Sequence, residues 1–518
     1  MGHFLSLVKF IAVSVFSSAA VWSKQENLAT SLEMRPNPRR KLPATVLAVA
    51  LFLLLAGSGS AQAQTATVNW TDVHQVIDGF GASDEAHGGS MSSANQSFFF
   101  GTGDGQLGLS LLRVGVTDGR QDAGDCTSVS TSCAGLYVSD MQAVVANGGR
   151  VYASPWSPPA AYTTNGSEVC TSGGGNGALA TSDYASYATW LANFARSLKS
   201  EDNINLYAIS VQNEPDMCQS YDSALWSAAN IDTFVSANLG PTFAADGLST
   251  LIFAPEGSNY SVSTSLGASC GSDSSCTQYV GGFNWHDYQA NLSGTNSVAA
   301  NSYPSDWPSG KKYWETEAGC GPGYGPNFCE SGFNTDMTDA LNWAAVIDQR
   351  IAVDNANAWL YWQMIDYNQP GNGPTASDGS LMANPTSGST VARRAYALGQ
   401  YSKFVRPGYY RIDATHLPQS GVSVSAYQNT PTNTLVIIAT NYTGSAVSQT
   451  FDLTNAPAFS TLTPTITSAS LNLAAQSNVS VTGNSFTYTL PAGSITTFVG
   501  SSAAGPAAPT NLTSTVLQ

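Results

Sequence analysis

Glu214 closes the apolar run Leu206-Tyr-Ala-Ile-Ser-Val-Gln-Asn-Glu-Pro215, and Glu317 closes Lys311-Lys-Tyr-Trp-Glu-Thr-Glu317. A β-prone run that stops at a carboxylate is how a barrel delivers an acid to the cleft at the carboxyl ends of its strands. Two such carboxylates facing one bond can divide the labour of glycosidic cleavage. One gives up a proton while the other attacks or activates water. Held close together their charges repel, one pKa rises, and the raised group is expected to be the proton donor. Either glutamate alone reads equally well as an ordinary loop acid; the pair, on two runs of one kind, does not. Glu315 competes with Glu317, since side chains two apart on a regular strand share a face. It is expected one layer deeper, out of reach of a sugar, with the inward-pointing Arg113 as its partner.

The elements that must carry these residues are short apolar runs alternating with longer segments that can hold helices, the pattern of a parallel barrel. Eight runs stand out: Val76–Ala82, Leu109–Val116, Arg150–Pro155, Leu206–Gln212, Thr250–Pro255, Ser297–Tyr303, Lys312–Glu317 and Ala358–Ile365. Helices are expected over Asp183–Leu198 and Thr338–Val353. Trp285, His286 and Asp287 read as a structural part of a helix after the fifth run. The aromatics Trp156, Tyr303 and Trp362 follow or lie on the third, sixth and eighth runs, where flat apolar walls would meet sugar rings.

From about residue 403 the texture changes to short Thr/Val-rich runs: Gly421–Tyr427, Thr434–Asn441, Val447–Leu453, Asn478–Thr482, Ser485–Leu490 and Ser494–Val499. These read as an antiparallel sandwich, with Gly483-Asn484 at a tight hairpin. Thr65–Trp70, ahead of the barrel, could complete it. The expected organisation is a targeting region over 1–63, a joining strand over 64–75, an α/β (β/α)8 TIM barrel over 76–402 and an antiparallel β-sandwich side domain over 403–500. Residues 501–518 read as a Pro/Ala linker and the start of a truncated fibronectin type III module.

Composition limits the partners. Net charge is −16 with only 10% charged residues, so nucleic acid is excluded as a partner for want of a basic face. Arg35, Arg39, Arg40 and Lys41 precede the apolar run Leu42–Ala56 and then Ala61-Gln-Ala63. Basic flank, short apolar segment and Ala-x-Ala site are the parts of a secretory signal. Met34 is then the expected start, with cleavage near Ala63, export, and no membrane association afterwards. The eight cysteines suit an oxidising compartment and fall into near neighbours: Cys126 with Cys133, Cys270 with Cys276, Cys320 with Cys329, and Cys170 with Cys218 as a longer link. All lie in loops at the catalytic end of the barrel. No Cys-x-x-Cys occurs, and neither metal nor organic cofactor is expected.

Six stretches in order make the chain resemble glycoside hydrolase family 30: Ile77-Asp-Gly-Phe-Gly-Ala82, Leu109-Ser-Leu-Leu-Arg-Val-Gly-Val116, Ala153-Ser-Pro-Trp-Ser-Pro-Pro159, Val211-Gln-Asn-Glu-Pro-Asp216, Trp314-Glu-Thr-Glu-Ala318 and Tyr401-Ser-Lys-Phe-Val-Arg-Pro-Gly-Tyr-Tyr-Arg-Ile412. The resemblance implies a barrel with a side sandwich built from both chain ends, and a retaining mechanism with Glu214 as acid/base and Glu317 as nucleophile. Asn213 would bond the sugar 2-hydroxyl, and Arg113 joins the substrate-binding candidates. The implied substrate is a β-linked polysaccharide, first of all β-1,4-xylan. The family's other activities are alternatives: β-1,6-glucanase, β-1,6-galactanase or a glucosylceramidase-like activity. A non-catalytic carbohydrate-binding protein would keep the same cleft. The family's bacterial glucuronoxylanases carry an arginine just after strand eight that grips the glucuronate. Here Met364-Ile-Asp-Tyr-Asn-Gln-Pro-Gly-Asn-Gly373 has no basic residue, and Arg120 is the nearby candidate to replace it.

Overall fold

The computed structural model describes residues 64–502 apart from 85–89, 117–136, 173–176, 294–296, 321–324, 330–332, 367–378 and 384–387. The signal region, Arg120, Cys126, Cys133 and the C-terminal linker lie outside the described residues.

Eight parallel strands close a barrel: Gly79–Ser83, Leu111–Gly115, Arg150–Ser154, Leu206–Ser210, Leu251–Phe253, Val280–His286, Lys312–Ala318 and Ala358–Tyr361. The expected sixth run is not among them. Ser297–Val298 only pairs with Leu292–Ser293 in a small hairpin, and the sixth strand is Val-Gly-Gly-Phe-Asn-Trp-His, which places Trp285 and His286 on a strand and not on a helix. Its glycines, poor strand formers, conceal it in the sequence. Gly282 is forced by packing: a Cβ there would lie 2.2 Å from Cε1 of Phe253 and 2.7 Å from the Lys312 carbonyl.

Leu111, Tyr152, Ala208, Phe253, Trp314, Ala358 and Leu360 pack together inside the barrel. Below them Asp78 is buried, accepting from Lys312 Nζ at 2.8 Å and from Arg150 Nη1, Tyr207 Oη and Trp314 Nε1 at 2.9 Å. A charge taken from water is tolerable only with such partners. The barrel is therefore filled and plugged, and a ligand meets only the mouth at the carboxyl ends. Helices lie near their expected places, at Tyr184–Asp202 and Met337–Asp348. The first buries Tyr187, Trp190, Leu191, Phe194 and Leu198 on its barrel-facing stripe and stops at the left-handed Asn203 (φ 57°).

The side domain is a wrapped sheet in which Thr65–Val76 lies between Tyr410–Ala414 and Val447–Thr454. The ladder with Val447–Thr454 is parallel, so the sandwich is antiparallel except at this pair. Thr434–Asn441 is buried throughout; Leu435, Ile437 and Ala439 enter the sandwich core while Val436 and Ile438 join the barrel-side core. Burial on both faces explains its unbroken apolar run. Gly483 and Asn484, both at φ 60°, form the tight turn between Thr482 and Ser485 as expected. Tyr410–Ala414 and the Pro464-containing strand Thr461–Thr467 escape a sequence reading, the second because proline argues against a paired strand.

Three of the expected disulfides are formed, Cys170–Cys218, Cys270–Cys276 and Cys320–Cys329, but the second joins the helices Tyr260–Ser272 and Ser274–Thr277 on the way into strand six and does not lie in a loop at the catalytic end as expected. The first closes a loop of sequence separation 48 and the second one of only 6. Loop entropy gives about 4 kcal/mol for the long link and about 2 kcal/mol for the short one. Replacing Cys170 and Cys218 together by Ser should therefore lower the denaturation midpoint clearly more than the same change at Cys270 and Cys276. Equal midpoints for the two variants would contradict this ranking.

Candidate active site

A third glutamate at a strand end joins the two expected ones. Glu214 follows the fourth strand, Glu256 the fifth through Leu251-Ile-Phe-Ala-Pro-Glu256, and Glu317 lies near the end of the seventh. All three converge at the barrel mouth. Arg113, on strand two, points into this group and not toward Glu315 as the sequence suggested. Its Nη1 donates to Glu317 Oε2 at 2.6 Å, its Nη2 donates to Asn213 Oδ1 at 2.6 Å, and Nη2 lies 3.3 Å from Glu256 Oε1. Being fully buried, Arg113 orients the carboxylates and Asn213 and is not placed to touch a substrate, which corrects its inclusion among substrate-binding residues. Glu315 turns the other way, out of the barrel.

His286 is the residue that the misread sixth strand hid. Its Nδ1 lies 3.0 Å from Glu214 Oε1, and its Nε2 lies 3.6 Å from both Glu256 Oε1 and Glu317 Oε2. Burial works against charging the ring, but the surrounding carboxylates, Glu317 first, raise its pKa to about 10. The group is thus three carboxylates around two cations. Tyr288, just past the strand, donates from its hydroxyl to Glu317 Oε1 at 2.6 Å. Glu256 accepts from the Tyr152 and Ser154 hydroxyls at 2.6 Å each. Burial would raise Glu256, yet Arg113 and His286 outweigh it and bring its pKa down to about 2. Glu256 is a fixed negative charge that balances the cations.

Burial pushes the Glu317 carboxyl above the ordinary carboxylate range; His286, Arg113 and the Tyr288 hydroxyl oppose the shift while the Glu214 charge adds to it. A raised pKa therefore does not single out the proton donor here as the sequence argument expected. Hydrogen bonding distinguishes the two glutamates better. Both oxygens of Glu317 are held by donors, and its side chain is 6% exposed against 15% for Glu214. A carboxylate oxygen of Glu214, one of Glu317 and a ring nitrogen of His286 all lie within 4.8 Å of one another. Glu214 is held at φ 43° and Glu256 at φ 59°. Such a left-handed backbone costs about 1–3 kcal/mol at a non-glycine residue and is concentrated at functional sites.

Trp156 and Trp362 stand beyond strands three and eight with ring centroids 6.2 Å apart, and the Arg113 guanidinium lies 4.5 Å from the centroid of Trp156. Tyr303 does not join them. It stacks on Tyr313 at 4.1 Å and packs against Trp285 and Trp307 outside the barrel. Tyr303 thus belongs to the outer packing of the sixth strand and not to the rim, which corrects its expected place in the sugar wall.

Glu214, His286 and Glu317 could also hold a metal ion, but the Arg113 guanidinium already occupies Glu317 Oε2 and disfavours a second cation. The other such group, Asp232 with Cys270 and Cys276, has its sulfurs joined in a disulfide and offers no thiolate. Among the described residues no helix is long and apolar enough to cross a membrane.

Residues 136–368 match the TIM-barrel domain of glycosyl hydrolase family 30 and residues 408–498 match its beta sandwich domain. The chain is 33% identical over 448 residues to the glucuronoxylanase XynC of Bacillus subtilis strain 168, covering 84% of this chain and 91% of that protein. Among solved structures, the family 30 subfamily 8 xylanase Xyn30A of Clostridium acetobutylicum superposes with a TM-score of 0.68 at 30% identity, over 85% of this chain and 100% of that one. A family 30 endoxylanase of Clostridium papyrosolvens C71 gives 0.67 at 31% identity over the same shares. With both family domains matched, a shared fold and a third of the aligned residues identical to a relative covered over 91% of its length, the chain belongs to glycoside hydrolase family 30.

Proposed function

We propose that this glycoside hydrolase is a secreted, retaining endo-β-1,4-xylanase, with Glu317 as nucleophile and Glu214 as acid/base. The observation that carries the retaining mechanism is the carboxylate oxygens of Glu214 and Glu317 within 4.8 Å. Retaining enzymes hold their carboxyls about 5–5.5 Å apart, and inverting ones leave room for a water at about 6.5–9.5 Å. In the first step a Glu317 oxygen bonds the anomeric carbon while Glu214 protonates the departing glycosidic oxygen. In the second, Glu214 takes a proton from water as that water displaces Glu317. Arg113 and Tyr288 fix the attacking carboxylate, so little reorganisation is needed as charge moves. Arg113 also takes the Asn213 oxygen, which leaves the Asn213 amide nitrogen as the donor for a 2-hydroxyl. Trp156 and Trp362 are proposed as the apolar wall for sugar rings.

Support for xylan comes from the xylanases among the relatives. Dependence on glucuronate is not part of the proposal, because no Lys or Arg occurs between Arg350 and Arg393. Arg120, in the stretch that follows strand two in sequence, is proposed as an arginine able to pair with a uronate. The barrel and sandwich boundaries expected from sequence, 76–402 and 403–500, are kept as the proposed division, and the disulfides fit an exported protein. The deciding experiment is product analysis on glucuronoxylan, arabinoxylan, β-1,6-glucan and β-1,6-galactan, with the anomer formed first read by NMR. We expect β-anomeric xylo-oligosaccharides from both xylans. Cleavage of only a β-1,6-glycan, or α-anomers at first, would overturn the substrate or the mechanism respectively.

A further inference from the structure

The seventh strand carries one residue more than its neighbours. Against strand six the pairs run Trp314 with Asn284, Glu315 with Trp285, then Glu317 with His286. Against strand eight they run Trp314 with Ala358, Glu315 with Trp359, then Ala318 with Tyr361. Thr316 is therefore the extra residue of a bulge, seen from both sides. Trp314 packs inside the barrel, so a regular alternation would put Glu315 outside, Thr316 inside and Glu317 outside. The bulge reverses that parity: Glu317 comes to lie level with His286, inside, while Glu315 shares the outer face with Trp285 and Trp359. This is why Glu315 and Glu317, two apart in sequence, do not share a face.

A bulge frees ladder N–H groups, and buried N–H groups must be paired. Both oxygens of the fully buried Glu315 carboxyl meet this need. Oε1 accepts from the Glu317 backbone N–H at 2.9 Å, and Oε2 accepts from the Leu360 N–H across the ladder at 3.2 Å. Regular pairing resumes just beyond, where Asp287 N–H donates to the Glu317 carbonyl at 2.8 Å and Trp362 N–H to the Ala318 carbonyl at 2.7 Å. We propose that Glu315 is a positioning residue whose buried carboxyl clamps the bulge at Thr316 and so holds Glu317 inside the barrel, facing the substrate. The plainer alternative is that the ladder beyond the bulge fixes Glu317 unaided. The alternative leaves unexplained why both buried oxygens of Glu315 meet N–H groups at the break in register.

The inference rests on the reading of Glu317 as nucleophile. It is tested with Glu315→Leu, which removes both acceptors, and Glu315→Gln, which retains one. The readouts are kcat on a xylo-oligosaccharide, the rate at which a 2-fluoro-xylobioside labels Glu317, and the Kd of xylotriose. A nucleophile displaced by about 1 Å loses about 10²-fold in rate. In Glu315→Leu, kcat and labelling should fall together on that scale, with a smaller loss in Glu315→Gln and xylotriose binding within about twofold of wild type. If Glu315→Leu does not fold, the same split in Glu315→Gln decides. Unchanged labelling in both variants, or xylotriose binding lost in step with kcat, would overturn the role of Glu315. Labelling of the wild-type protein at another residue would instead overturn the reading of Glu317, a separate result.

Discussion

Glu317→Gln should abolish xylan turnover, by on the order of 10⁵-fold, the scale on which an enzyme suffers when its covalent nucleophile is removed. The substitution keeps the volume and one acceptor for the Arg113 guanidinium, so the barrel mouth should stay folded. Labelling by a 2-fluoro glycoside should vanish with activity, because no carboxylate remains to form the ester. The wild-type pH profile provides a second check. Glu317 must be ionised to attack, and its carboxyl is raised above the ordinary 4.5 by burial, then by Glu214. Activity is therefore lost on acidification sooner than for an ordinary carboxyl, and the acid limb of kcat/KM should lie above pH 4.5. A Glu317→Gln protein that still hydrolyses xylan at wild-type rate would end the assignment.

Glu214→Ala should have the second largest effect, with a different signature. Removing a general acid costs about 10²–10⁴-fold when the leaving group needs a proton, and little when it does not. Xylan cleavage should collapse, while an aryl xylobioside with an acidic phenol should still form its glycosyl-enzyme quickly and then stall for want of a base. Azide, which needs no deprotonation, should fill the space vacated by the side chain and release a glycosyl azide of retained configuration. Equal losses on xylan and on the activated aryl glycoside, with no azide product, would count against Glu214 as the acid/base. Loss of Glu214 also removes a partner of His286 at 3.0 Å, so the imidazolium should titrate lower in the variant.

The barrel was readable from sequence because seven of its strands are apolar enough to announce themselves, and the two proposed catalytic glutamates were readable because each ends such a strand. What escaped did so for local physical reasons. Val280–His286 has Gly281 and Gly282 where a strand prefers β-branched residues, and Phe253 demands the second of them, so His286 went with its strand. Glu256 had the same signature as Glu214, an apolar run stopped by Pro and Glu, and could have been found by applying that rule a third time. The face of Glu315 does not follow from regular alternation, because the bulge that sets it depends on two neighbouring strands at once. Tyr303 followed from the misplaced sixth strand.

The sandwich strand Thr65–Val76 is synthesised ahead of the whole barrel, yet Val68 pairs with Ala414 and Leu453. While the ribosome makes the barrel, this strand has neither partner, and an unpaired edge invites association with other chains. Its sequence is guarded: Asn69, Thr71, Asp72, His74 and Gln75 interrupt the apolar positions. Once the later strands emerge, Ile77 and the 408–409 segment bond to each other at 2.7 and 2.8 Å, closing the passages into and out of the barrel against one another. The barrel is thereby an insertion within the sandwich, so the sandwich cannot be completed before the barrel has been made.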